Sequence, residues 1–107
     1  MDALDPEAID EAREEACVDA YDEYEQQTGF MTALGEELSF PFSAKVLGDS
    51  VTVAAMEWPE DSEFGLDLVI DRKGGQHRID ARSVELVPPL PNGHRTLAAY
   101  LQWRRFV

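Results

Sequence analysis

Two groups of carboxylates are spaced closely enough to act together. Asp19, Asp22 and Glu23 stand at i, i+3 and i+4. On a helix these positions are neighbours, so their like charges repel unless a cation or a base sits among them. Glu36 and Glu37 follow one short segment later, and Glu60, Asp61 and Glu63 form a second, looser group in an acidic loop. If the chain folds back at Gly29, Glu36 and Glu37 approach Asp19 and Glu23 or the sheet edge, whereas steps of about 100° per residue point Glu25 and Glu11 further away. Carboxylates without His or Cys partners offer hard oxygens. Such donors suit Ca2+, which takes about 6–8 of them in flexible geometry, better than zinc or copper; Mg2+ holds fewer carboxylates and keeps its waters. The eight acids are therefore candidate calcium ligands, the first five as the main site and the loop trio as a weaker one. They do not spell an EF-hand, because Tyr21 stands where that loop needs an oxygen ligand and Tyr24 where it needs glycine.

Other chemistries lack their parts. The two histidines, His77 on an expected strand and His94 in a proline-flanked connection, belong to no recognisable catalytic motif, and no nucleophile elbow, phosphate-cradling glycine loop or metalloprotease helix is present. Cys17 falls on the apolar stripe of the first helix, where packing is its expected role, and a single cysteine makes neither an intramolecular disulfide nor a structural zinc site. An enzyme is not expected.

Charge narrows the ligand further. The 107 residues carry 22 Asp and Glu against 9 Lys and Arg, a net −13. Up to residue 44 there are 13 acids and one base, Arg13, giving −12, while the rest holds 9 acids and 8 bases. A surface adapted to salt would spread its acids along the whole chain, so this concentration favours a function. Nucleic acid and anionic membranes are disfavoured as ligands; a cation or a basic protein surface is favoured. No stretch approaches a membrane span, and Met1-Asp2-Ala3-Leu4-Asp5 is no signal peptide, so a soluble cytoplasmic protein is expected, its oligomeric state left open with a monomer favoured. With 44% hydrophobic residues, one domain over 1–107 is expected, an acidic helical segment at 1–40 followed by a mainly β segment at 41–107 that ends in a helix.

The elements that must position the acids follow from capping and periodicity. Asp5-Pro6-Glu7 reads as a helix start, and Ile9, Ala12, Ala16, Cys17, Ala20, Tyr21 and Tyr24 form one stripe, which predicts a continuous helix to about Thr28 with Gly29 as its stop. Phe30, Met31, Leu34 and Leu38 predict a second helix ending before Phe40-Pro41-Phe42. The period then becomes two: Val51, Val53 and Ala55 alternate with Thr52, Ala54 and Met56, and Leu66, Leu68 and Ile70 with Asp67, Val69 and Asp71. Gly48-Asp49 and Lys73-Gly74-Gly75 are hairpin signals, with Ile79 and Ala81 on the return strand. Pro59 to Gly65 is an acidic loop, Pro88-Pro89-Leu90-Pro91 stays out of any central strand, and Thr96 to Trp103 is a last helix with Leu97, Tyr100, Leu101 and Trp103 inward. The order gives an α+β fold: N-terminal helices on a small antiparallel SH3-like bent sheet or barrel, closed by a short C-terminal helix.

The run Asp19-Ala20-Tyr21, then Glu25, Gly29, Leu34, Leu38 and Phe40-Pro41-Phe42-Ser43-Ala44, resembles the CcbP-type calcium-binding proteins. Glu57-Trp58, Ser83-Val84-Glu85-Leu86 and Tyr100-Leu101-Gln102-Trp103 are similar in order and spacing, so the resemblance extends from about residue 10 to the end. It implies a small acidic protein without EF-hands that binds calcium reversibly, as a buffer or in signalling. Asp19 and Glu25 stand where the family carries acids, and Glu36 where an Asp is common; Gly35 replaces a frequent acid, and Phe30-Met31-Thr32 and Arg72-Lys73-Gly74-Gly75 also depart from the pattern. The alternative is an acidic SH3-like interaction module that docks a basic protein without selective metal binding.

Overall fold

The computed structural model describes residues 5–72 and 75–106, which form two compact units: the residues up to Leu38 together with those from Asn92 on, and Ser39–Pro91. The first holds α1 (Pro6–Ala16), α2 (Glu23–Glu37) and α3 (His94–Arg104). The second holds β1 (Phe42–Val46), β2 (Asp49–Glu57), β3 (Asp67–Arg72), β4 (Gly75–Asp80) and β5 (Glu85–Leu86), with a single 3₁₀ turn, Ala81–Ser83, before β5.

The expected continuous helix over 5–28 is two helices. Asp5 caps α1 as anticipated, accepting the Glu7 N–H. The chain leaves the helix after Ala16, passes through Asp19 at φ 58°, and re-enters at Glu23. The cause is local. Asp22 accepts the Glu25 N–H at 2.8 Å, while Glu25 Oε1 accepts the N–H groups of Tyr21 at 2.9 Å and Asp22 at 3.3 Å. This capping box satisfies the amide donors that a helix start leaves bare, and Asp favours such caps over helix interiors. The apolar stripe breaks with it: Tyr21 is 86% and Tyr24 61% exposed, and Ile9, Ala12, Ala16 and Cys17 are only half-buried. Gly29, expected as a stop, lies inside α2. A Cβ on it would collide with the carbonyl oxygen of Ala16, so glycine lets α2 pass directly against the end of α1.

The predicted end of the second helix is met, with Leu38 as its C-cap. Phe30 and Leu34 of α2 are fully buried, as are Leu97, Ala99 and Tyr100 of α3. Phe30 meets Tyr100 edge-on at 5.8 Å between ring centroids and Trp103 at 5.3 Å, and the Trp103 indole N–H donates to Gln26 Oε1 at 2.8 Å. Burying each such side chain contributes about 1.5–3 kcal/mol. Leu101, expected inward, is half-buried.

In the second unit the strands form an open antiparallel sheet in the order β4-β3-β2-β1-β5. Val46 pairs with Asp49, so the first hairpin turns at Leu47-Gly48, one residue before the expected pair, with φ of 53° and 85°. Two positive φ values match the twist of the flanking strands. The alternation along β2 holds for buried Val51 and Val53 and then lapses: Val53 faces Ile70 but Ala55 faces Val69, so Ala54 is an extra residue, and 54–56 are all half-buried. Arg72 pairs with Gly75, while the expected turn residues Lys73-Gly74 lie outside the described residues. Ala81 enters the 3₁₀ turn instead of continuing β4; it is buried, and its N–H donates to Leu66 O at 2.8 Å. No helix among the described residues is long and apolar enough to cross a membrane.

Candidate metal site

The break between α1 and α2 creates a hollow in the helical unit. Its volume is about 590 Å³, and it is open to solvent. Five carboxylates line it: Glu15 from the last turn of α1, Asp19 from the connecting segment, Glu25 from the first turn of α2, and Glu36 and Glu37 from its last turn. The hydroxyl-bearing Thr28 and Thr32 join them, Thr28 donating to the Tyr24 carbonyl at 3.1 Å. Each contributor has a local reason. Asp19 sits in the left-handed region that Asp tolerates better than most residues. Glu25 is fixed by the capping box, which uses its Oε1 for two backbone amides. Glu37 Oε1 accepts the Thr96 hydroxyl at 2.7 Å.

Asp19, Glu36 and Glu37 thus line one hollow, and the other two of the first five candidates do not. Asp19, Asp22 and Glu23 do not share a helix face, because Asp19 precedes the helix and Asp22 is its N-cap. Asp22 and Glu23 do not line the hollow. Glu15 and Glu25, which were not among the eight candidates, also line it. Glu25, expected to point away, was legible through another signal: Asp22-Glu23-Tyr24-Glu25 has the spacing of a capping box, which marks a helix start at Asp22 and breaks the continuous phase. Glu15 had no such signal.

The loop candidates fall elsewhere. Glu60 and Asp61 line a depression on the sheet unit with Glu57, Trp58, Pro59, Asp67 and Arg78, and Glu63 does not. Arg78 stands among these acids, 3.2 Å from Glu57 and 3.1 Å from Asp67. The guanidinium is a cation that the chain supplies itself. Such exposed pairs contribute about 0–1 kcal/mol to stability, but they lower the local negative potential. His77 is exposed on β4, and His94 opens α3. Burial pushes the Cys17 thiol above its ordinary pKa, with nearby Arg13 opposing the shift, so it stays protonated near neutrality.

Among the described residues no three His, Cys, Asp or Glu side chains stand close enough together to hold an ion as they are. The hollow's donor set nevertheless fits a hard cation. Its charged lining is carboxylate alone, with no imidazole or thiolate, and all five carboxylates belong to exposed residues.

A family profile described as calcium binding, that of the CcbP proteins, matches residues 11–104. The fold is similar to the crystal structure of Anabaena CcbP, with a TM-score of 0.70 and 21% identity over 97% of this chain and 95% of that one. It is also similar to a calcium-binding protein solved in its calcium-binding form, with a TM-score of 0.64 and 20% identity over 99% of this chain and 94% of that one. No curated protein matches.

Proposed function

On the premise that this chain belongs to the CcbP calcium-binding family and takes Ca2+ as its ligand, we propose that the ion binds in the acid-lined hollow of the helical unit, with Asp19, Glu36 and Glu37 as ligands beside Glu15 and Glu25. One observation carries the reading: three consecutive segments of the chain deliver five carboxylates to a single solvent-open hollow whose charged lining is oxygen only. Without an ion these like charges keep their side chains apart. A bound ion would draw Asp19, Glu36 and Glu37 together and tie the connecting segment to the last turn of α2; Glu25, about 16 Å from Glu36 along the helix, stays outside that shell and keeps its cap role. Asp22 serves as the cap that shapes the segment, Glu23 is peripheral, and Glu60 and Asp61, without Glu63, form a weaker second cluster whose neighbours Glu57 and Asp67 are held by Arg78.

The role is non-catalytic, a cytoplasmic calcium buffer or signalling protein. The Cys17 thiol, held protonated near neutrality by burial, is no poised nucleophile. Calcium should also stabilise the fold by linkage, about 2.7 kcal/mol at 100 times Kd. The test is a calorimetric titration of chelator-stripped protein with calcium in excess magnesium at physiological salt. Saturable binding is expected, weakened about tenfold in Glu36→Gln and in Asp19→Asn, a loss of about 1.4 kcal/mol each. Unchanged affinity in both variants would remove the hollow from consideration.

A second reading has its own observation. Tyr21 and Tyr24 are exposed beside these acids, where they can stack on arginine side chains of a basic protein. It predicts salt-sensitive capture of a basic partner that persists when calcium is chelated.

A further inference from the structure

One hydrogen bond joins the hollow to the buried part of α3. Thr96, third residue of that helix and 4% exposed, donates its hydroxyl to Glu37 Oε1 at 2.7 Å, across 59 positions of sequence. Glu37, the last residue of α2, is itself exposed and lines the hollow. The surroundings hold the two ends in register. The N-cap of α3 is Gly93, at φ 84°, and a Cβ there would stand 2.7 Å from backbone atoms of Glu37 and Leu38, so the start of α3 lies directly against the end of α2. Gly93 has no side chain with which to cap α3, and the carboxylate that reaches its first turn is that of Glu37, at the end where the helix dipole favours negative charge.

We propose that Thr96 is a positioning residue for calcium: by engaging one oxygen of Glu37 it pre-orders this carboxylate at the hollow. The inference rests on Glu37 being a ligand, as proposed above. An exposed glutamate otherwise gives up its rotamer freedom when it binds an ion, and a buried hydroxyl that has already fixed the side chain removes part of that cost. Thr96 needs no contact with the ion; it acts through Glu37, and it makes the packing of α3 a determinant of affinity. The remaining acids of the hollow have no such anchor in a third helix, apart from Glu25, which is held by its own capping box.

The experiment is a thermodynamic cycle. Calcium affinity is measured by calorimetry for Thr96→Val, Thr96→Ser, Glu37→Gln and the double variant Thr96→Val with Glu37→Gln, and thermal unfolding is followed on the same four in chelator. Thr96→Val should weaken calcium binding about three- to tenfold, and Thr96→Ser, which keeps the hydroxyl, should return it to within about twofold. Added to Glu37→Gln, Thr96→Val should change affinity no further. In chelator Thr96→Val should lower the melting temperature more than Glu37→Gln does, since the amide oxygen of glutamine can still accept the Thr96 hydroxyl. An equal loss of affinity in the Glu37→Gln background would show that Thr96 acts through general packing, and no loss in Thr96→Val would likewise overturn the proposal. If Glu37→Gln itself leaves affinity unchanged, Glu37 is no ligand, and that part of the site fails together with the inference. Should Thr96→Val not fold, Thr96→Ala takes its place.

Discussion

Replacing Gly29 by alanine tests whether the hollow depends on the close passage of α2 over the end of α1. Within a helix the change should by itself help, by about 0.8–1 kcal/mol, through lower backbone entropy in the unfolded chain. At Gly29, however, the new methyl would occupy the space of the Ala16 carbonyl oxygen, a backbone atom that cannot rotate away. Overpacking of this kind costs about 1–3 kcal/mol. With the cost at the upper end, the net loss is about 2 kcal/mol. Gly35 is an internal control in the same helix, because a Cβ there meets nothing within 4 Å. Gly35→Ala should gain about 1 kcal/mol, which separates the variants by about 3 kcal/mol. At roughly 4 °C per kcal/mol for a chain of this size, the difference in melting temperature is about 12 °C, within reach of calorimetry or circular dichroism. Because Glu15, Ala16 and Asp19 share the hollow with Gly29, the Gly29 variant should also bind calcium more weakly than the Gly35 variant. Equal stability of the two would refute the close crossing as the reason for glycine at 29.

Three further outcomes follow from single features. Asp22→Ala removes the N-cap of α2 and should destabilise the protein by about 1 kcal/mol, with Asp22→Asn recovering most of the loss in chemical denaturation. Leu47, 97% exposed with φ 53°, occupies a turn position that suits Asn; Leu47→Asn should therefore stabilise by about 1 kcal/mol, read as a rise in melting temperature. Burial raises the Cys17 pKa in the folded state, so alkylation of the native protein should be slower than of the unfolded chain and should accelerate only above the ordinary thiol range. The sign of the linked stability is fixed: the unfolded thiol loses its proton first as pH rises, so stability falls with pH between the unfolded and the folded pKa, a trend absent from Cys17→Ala.

Much of the fold was written locally. The Asp5-Pro6 start, the end of α2 before Phe40-Pro41, the first hairpin to within one residue and the buried face of α3 all depend on caps, turns and periods that neighbouring residues decide. The oxygen-only chemistry of the acidic segment was equally legible, because ligand hardness belongs to residue type. The α1–α2 break was encoded as well, in Asp22 and Glu25, but the apolar period ran through it, and a period cannot say which residues will be buried; Tyr21 and Tyr24 stay exposed. What tertiary structure alone decided is which charges meet. Folding α3 back to the first two helices sets Arg95, Arg104 and Arg105 with Arg13 against 13 acids, leaving −9 on the helical unit and −4 on the sheet unit of the total −13. Arg78 comes to Glu57 and Asp67 through sheet pairing, and Thr96 reaches Glu37 across 59 residues. Distance along a chain carries no information about such pairs, since the potential at a carboxylate depends on separations in space, and only the packed fold fixes those.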